Sequence, residues 1–333
     1  RYAEDFRADG MVFCRTYCSP MAHARVVRLD ISAAEAMDGV VGILTPDEVP
    51  GPDGAAPVIL SAEPSYVGEP IVAVAAMTEQ IAEDAIQKLV VELEPLPFVT
   101  DPMDSLHPDG PNAREGGNSA NRGVPLQTHK WTAQDFASDD GGMPTSGNAV
   151  IDWSYGNLDA GFEKAKIVLD ETFVTGANPH HSMEPRSAMC YWENGKCFVH
   201  GSCQSQAFAL PGLASLLGIE PSDVVFIAEY CGGGFGSKGG AYSIMALPAY
   251  LSKKIGRPVM HRVSREQEYF WGSARAGFQG RIRMGFGEDG RVVAADLYIV
   301  QQNGPKTGFP DYVSAADAVS LVYQPEAMRF RGI

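Results

Sequence analysis

The chain has 333 residues, 45% of them hydrophobic and 20% charged, with a formal net charge of −15. That length allows two or three domains with cores of their own, in a composition ordinary for a globular protein. The acidity argues against a nucleic-acid or anionic-membrane surface, no apolar run reaches a membrane span, and the polar opening Arg1-Tyr-Ala-Glu-Asp-Phe6 lacks a signal-peptide pattern, so a cytoplasmic location is expected.

Residues 1–100 predict one α+β unit. Cys14 and Cys18 lie in a strand-like run, and Ala24–Leu29 predicts another strand. Ser32-Ala-Ala-Glu35 reads as a capping box opening a short helix that Gly39 closes. Val40–Leu44 and Tyr66–Ala75 predict further strands, with Thr45 and Pro46 as an N-cap and first-turn pair between them. Thr78 caps a helix whose apolar face is Ile81, Ala82, Ala85 and Leu89, and Val90–Pro97 closes the unit as a strand with a proline exit. Residues 101–150 turn to Asp, Gly, Asn, Ser and Pro, as in Pro108–Arg122 and Ser138–Pro144. They read as a connector, with His107 and His129 in solvent.

From 151 to 333 a mixed α/β pattern follows. Asp159–Lys164 predicts a short helix and Ile167–Val174 an alternating strand. Ala188–Trp192 and Cys197–His200 form a hairpin across Glu193-Asn-Gly-Lys196. Ser264 opens a helix, and Arg281–Phe286 with Arg291–Val300 makes a second hairpin. His180 and His181 lie beside Glu184, but adjacent residues of an extended segment point to opposite faces, so no metal site is expected there. The six cysteines (14, 18, 190, 197, 203 and 231) show no zinc or iron–sulfur spacing and are expected as buried free thiols.

The sequence centres on Cys231-Gly-Gly-Gly-Phe-Gly-Ser-Lys-Gly-Gly240, six glycines in ten residues. The apolar run Val224–Tyr230 leads in and the helix-like run Tyr242–Leu251 leads out. Strand, glycine turn and helix predict backbone N–H groups gathered at a helix N-terminus, where anions and oxo groups bind, with Phe235 projecting from bare backbone. Gly234–Gly239 also matches the dinucleotide pattern G-x-G-x-x-G. The acid such a site needs about twenty residues on is missing from Val259–Val263, where His261 and Arg262 suit at best a 2′-phosphate. A phosphate loop fails because Lys238 follows Ser237.

Gly232–Lys238 resembles the molybdenum-cofactor loop of the xanthine oxidase family. The resemblance extends to Ser19–Arg25, Val67–Pro70 and Glu92–Pro97, which are similar to that family's α/β hammerhead domain, and to His180–Pro185, which is similar to an element ordering the domain around the cofactor. It also covers Gln204, which stands sixteen residues, counted inclusively, from the helix end at Ile219. The implied fold class is α+β: a hammerhead domain (1–100), a connector (101–150) and a mixed α/β first molybdopterin-binding domain (151–333), truncated or split before the second. Gly68-Glu69 resembles the family's catalytic Gly-Glu motif but lies in the hammerhead, so Glu69 reads as structural; no residue here matches the catalytic glutamate.

The resemblance implies a molybdenum-cofactor oxidoreductase within a multisubunit complex. The cofactor is a molybdenum–pterin (molybdopterin, in one form the cytosine dinucleotide) held without protein metal ligands. Gln204 and Phe235 are implied at the reacting centre, with Gln204, Gly233, Gly234, Phe235 and Gly236 contacting the cofactor. The amide of Gln204 suits a metal oxo group, which it can hydrogen-bond without ligating; the reading from residues alone leaves Gln204 or Gln206 as a cap of the following helix. Implied partners are a C-terminal molybdenum-binding chain or segment, a [2Fe-2S] subunit and an FAD subunit. The implied reaction is hydroxylation or dehydrogenation of an aldehyde, N-heterocycle or alicyclic compound, with water as oxygen source. Alternatives are a hydratase of the same family and a non-catalytic half-site subunit. Gly239 stands where purine-specific members carry a glutamate, and Ala315–Val319 has no substrate arginine, which together argue against a purine and for a roomier, less polar pocket at Gly239.

Overall fold

Strand Val12–Cys18 alternates buried and half-buried residues, as one side of a packed sheet requires. It pairs in parallel with Val259–Arg262, from the far end of the sequence, and antiparallel with Pro70–Ala76. Every residue of Pro70-Ile-Val-Ala-Val-Ala-Ala76 is buried, which explains its unbroken apolar run. The computed structural model describes residues 1–49, 59–114, 116–120, 126–137, 141–304 and 309–333; positions 115, 121–125 and 138–140 of the expected connector lie outside them. The chain forms two compact units, residues 1–96 with 179–273, and 97–178 with 274–333.

In the first unit a seven-stranded sheet runs in the order Val224–Ile227, Lys196–Gly201, Ser187–Glu193, Val259–Arg262, Val12–Cys18, Pro70–Ala76, Val40–Leu44. Ala24–Asp30 and Val90–Pro95 form a separate antiparallel pair. Asn194 and Gly195 turn the predicted hairpin at φ 51° and 79°, the left-handed pair that a two-residue turn demands. Helix Ser243–Ile255 packs on this sheet, with Ile244–Ala249 and Leu251 all buried, and Gly256 ends it at φ 66°. Pro248 sits inside that helix and has no N–H for the Ile244 carbonyl one turn back. His261 occupies the gap, its Nδ1 lying 3.5 Å from Ile244 O.

Two cap expectations differ in outcome. Ser32 is the first helical residue rather than a cap; Asp30 Oδ1 accepts from the Ser32 N–H (3.0 Å) and hydroxyl (2.5 Å), an Asx turn that does the capping. Thr78 caps as expected, accepting from Ile81 N at 3.1 Å.

In the second unit, strands Ile151–Tyr155, Ala327–Gly332, Val292–Gln302, Gly277–Phe286 and Ile167–Thr175 form a five-stranded sheet, covered by helix Asp311–Tyr323 through Tyr312 and Ala316. Ile167–Thr175 is the sheet's edge and mostly exposed on both faces, against the alternation expected of it. The expected connector contributes helix Pro102–Leu106 and the buried Trp131, whose Nε1 donates to Asn148 O. His129 is half-buried, with Nε2 2.8 Å from Asn148 O, rather than solvated; His107 is exposed and stacks on Phe136 at 3.8 Å.

Candidate functional site

The glycine loop leaves strand Val224–Ile227 and reaches helix Ser243–Ile255 only after Tyr242. The sequence predicted its N–H groups at that helix's N-terminus; instead, three of them are spent on side chains that flank the neighbouring hairpin. Gly232 N donates to Glu184 Oε2 (2.7 Å), and Gly236 N and Lys238 N both donate to Gln204 Oε1 (3.0 and 3.1 Å). The Gln204 N–H returns a bond to Lys238 O at 2.8 Å.

These bonds settle the orientation of the Gln204 amide. Two backbone donors demand the carbonyl oxygen, so the NH2 group lies on the opposite branch, facing away from them. Gln204 is exposed and is not the helix cap: helix Gln206–Leu217 has Ser205 at its N-cap, and Gln206 Nε2 reaches Ala228 O at 3.4 Å. Phe235 holds φ at 50° and its side chain is 62% exposed. Gly233, two residues before it, and Gly236, the next residue, hold φ at 96° and 104°, a backbone region that residues with a Cβ enter only at a cost. Among the predicted residues, Gln204, Gly233, Gly234, Phe235 and Gly236 thus meet in one turn. Gly239 follows it, and a Cβ there would meet only Gly236 O, at 3.5 Å.

Beneath the turn lies a charged network that the sequence did not disclose. Lys238 is fully buried, and its ammonium donates to Glu184 O (2.6 Å), Ser202 Oγ (2.8 Å) and Glu184 Oε2 (3.2 Å). The Ser202 hydroxyl donates onward to Glu184 Oε2 at 2.6 Å. Two residues on from Glu184, Arg186 donates through its guanidinium to Glu268 Oε1 and to Ser237 O, and through its backbone N–H to Glu268 Oε2 at 2.7 Å. The Tyr242 hydroxyl donates to Ser202 O, and burial pushes its pKa far up. The available clue was the isolation of Lys238, Glu184 and Arg186 in apolar or glycine-rich sequence, since lone charges there need partners.

Other candidates resolve differently. His180 Nδ1 lies 2.9 Å from Ser273 O, while Glu184 turns to Lys238, so the His-His-Glu residues do not converge. Among the described residues no group of three or more His, Cys, Asp or Glu is placed to hold a metal ion. The 2′-phosphate reading fails: His261 is fully buried and Arg262 makes a bidentate pair with Glu79, both bonds 2.7 Å. Glu69 is buried, Oε2 accepting from the Ser65 N–H at 2.5 Å and hydroxyl at 3.0 Å. All six cysteines are free; Cys14, Cys190, Cys197 and Cys203 are buried, whereas Cys18 and Cys231 are partly exposed, against the expectation of burial for all. No helix among the described residues is long and apolar enough to cross a membrane.

Two family models match the chain. Residues 143–333 match the family model for the molybdopterin cofactor-binding domain, and residues 1–97 that for the aldehyde oxidase and xanthine dehydrogenase a/b hammerhead domain. Among curated relatives, a probable xanthine dehydrogenase subunit of Bacillus subtilis is 27% identical over 313 residues, which is 91% of this chain and 38% of the relative. The nicotinate dehydrogenase large molybdopterin subunit of Eubacterium barkeri is 27% identical over 312 residues, 91% of this chain and 66% of the relative. The chain therefore spans less than two thirds of either. The solved aldehyde oxidoreductase of Desulfovibrio gigas matches the fold with a TM-score of 0.80 at 22% identity, covering 100% of this chain and 36% of its own.

Proposed function

The chain belongs to the xanthine oxidase family of molybdenum-cofactor-binding subunits, and from that membership we propose that it builds one wall of the active site of a water-using hydroxylase or dehydrogenase. In this reading residues 1–100 are the hammerhead domain, 101–150 a connector and 151–333 the first molybdopterin-binding domain. A further molybdenum-binding chain or segment completes the site, and iron–sulfur and FAD subunits carry the electrons away in the cytoplasm.

The observation that carries the proposal is the pair of bonds from Gly236 N and Lys238 N to Gln204 Oε1. They turn a neutral NH2 donor outward beside Phe235, which suits an oxo group of the cofactor. The loop is bare because its own neighbours leave no room for side chains. A Cβ on Gly234 would lie 2.3 Å from Gln204 Oε1 and one on Gly232 2.5 Å from Glu184 Cβ, so bare backbone is required under Phe235. Two polar atoms in the segment facing the loop, Ser182 Oγ and Glu184 Oε1, are buried with no partner among the described residues, as at a site that takes another group. Gln204, Gly233, Gly234, Phe235 and Gly236 would hold the cofactor, in a molybdopterin or cytosine-dinucleotide form. When bound, that group supplies the redox chemistry that places a water-derived oxygen on the substrate and accepts its electrons.

This chain's residues supply orientation. Gln204 would donate to the cofactor without ligating its metal, and Phe235 would shield it from water with an apolar ring. At Gly239 the pocket wall presents no carboxylate to recognise a purine, although the space would admit a side chain. An aldehyde, N-heterocycle or alicyclic substrate fits that wall; of the Eubacterium barkeri and Bacillus subtilis relatives, the first is named for nicotinate, an N-heterocycle, and the second for xanthine.

The test is elemental analysis for molybdenum and iron, with pterin fluorescence, on the native complex containing this chain, followed by substrate-dependent reduction of an artificial acceptor. Molybdenum, pterin and acceptor reduction support the proposal. Absence of molybdenum from an active complex overturns it. Cofactor with water addition but no acceptor reduction would identify a hydratase.

A further inference from the structure

We propose that Glu184 and Lys238, closed by Ser202, act as a positioning device that holds the loop in the strained turn presenting Phe235 and Gln204; the purpose assigned to that turn rests on the cofactor reading above. One carboxylate oxygen, Glu184 Oε2, receives three donors: Ser202 Oγ at 2.6 Å, Gly232 N at 2.7 Å and Lys238 Nζ at 3.2 Å. The three hydrogens of the Lys238 ammonium are matched by three acceptors. The two side chains are 8% and 0% exposed, so each charge depends on the other for its solvation.

The loop needs such an anchor. Phe235 sits at φ 50° between Gly233 at 96° and Gly236 at 104°, and a side-chain-bearing residue persists there only when its surroundings over-determine it. The network grips both ends of this strained run, Gly232 before it and Lys238 after it. Arg186 adds a third grip at Ser237 O, from the same Glu184-Pro185-Arg186 segment. Between these points the chain has no choice but to arch, and Gln204 Oε1 then finds Gly236 N and Lys238 N side by side. The pair is therefore a positioning device for two residues it does not itself touch at their exposed ends.

The experiment is hydrogen–deuterium exchange with mass spectrometry on the native complex, comparing wild type with Ser202→Ala and with the double variant Glu184→Gln/Lys238→Met. Ser202→Ala keeps both charges and the fold; the double variant leaves no unpaired buried charge. The expected result is exchange faster by about tenfold or more in a peptide covering 231–240, with peptides covering 187–193 and 196–201 unchanged. Unchanged loop exchange in both variants, or an equal rise in loop and strands, would overturn the proposal in favour of a general contribution to the core. Molybdenum content is read on the same samples. Its absence from the wild-type complex would overturn the cofactor reading and leave the exchange result to decide the loop question separately.

Discussion

A Cβ on Gly234 would lie 2.3 Å from Oε1 and 2.4 Å from Cδ of Gln204, so the absence of a side chain at one position is what lets the other side chain lie flat against the loop. Gly234→Ala should therefore evict Gln204 and leave Gly236 N and Lys238 N without their acceptor, at about 1–3 kcal/mol. Thermal melting of the native complex and its molybdenum content should both fall. Gly239→Ala is the control: its Cβ meets only Gly236 O at 3.5 Å, and stability should stay within about 0.5 kcal/mol of wild type.

Gln204→Glu separates the two halves of that amide. A carboxylate still accepts from Gly236 N and Lys238 N, so the loop should hold, with a stability change under about 1 kcal/mol. The outward NH2 donor is lost, and turnover should fall on the order of 10–100-fold. Steady-state kinetics with an artificial acceptor, set beside the melting temperature, checks both statements; full activity would remove Gln204 from the cofactor's surroundings.

Arg186 and Glu268, with side chains 2% and 6% exposed, form the second buried pair. Arg186→Met strands a buried carboxylate and should cost about 3–5 kcal/mol by denaturant unfolding. Arg186→Met with Glu268→Gln removes both charges and should cost less than Arg186→Met alone. A double variant at least as damaged as the single one would show that the guanidinium bond to Ser237 O matters more than the ion pair.

His261 is fully buried between helix Ser243–Ile255 and Trp271, and burial depresses its pKa to about 4 from an ordinary 6.5. The unfolded chain binds this proton below pH 6.5 while the native chain does not until about pH 4. Stability is therefore complete above pH 6.5 and declines as pH falls through that window, by roughly 3 kcal/mol in total. His261→Phe should flatten the pH dependence of the melting temperature between pH 4 and 6.5 relative to wild type. Parallel curves would mean that other groups carry the acid sensitivity.

Thiol labelling should follow burial. Burial drives the pKa of Cys14 and Cys190 well up and that of Cys197 to about 12. At pH 8 iodoacetamide should leave these three unmodified in the native complex and reach them only after denaturation, as read by mass spectrometry of their peptides.

Much of the local architecture was legible because it depends on near neighbours. Thr78 and Asn194-Gly195 each declare a cap or turn through their own local chemistry, and the structure uses both for that purpose. Ser32 misled because a stronger acceptor, Asp30, stood two residues earlier. The glycine loop was visible as composition, but its N–H partners were not: the sequence pointed to the nearest helix N-terminus, whereas the donors went to Glu184 and Gln204, 48 and 34 residues from Gly232 and Lys238 respectively.

The chain alone disclosed the family, many of the strands, helices and turns outside residues 101–150, and the bare loop carrying Phe235. These rest on short-range periodicity, turn chemistry and motif spacing. The pairing of Val12–Cys18 with Val259–Arg262, the orientation of the Gln204 amide, and the burial of Lys238 against Glu184 and Ser202 belong to the folded molecule alone. A hydrogen bond or ion pair between distant residues leaves no periodic trace in the chain. It exists because a buried charge or carbonyl must find a partner once the sheet has brought the candidates within reach.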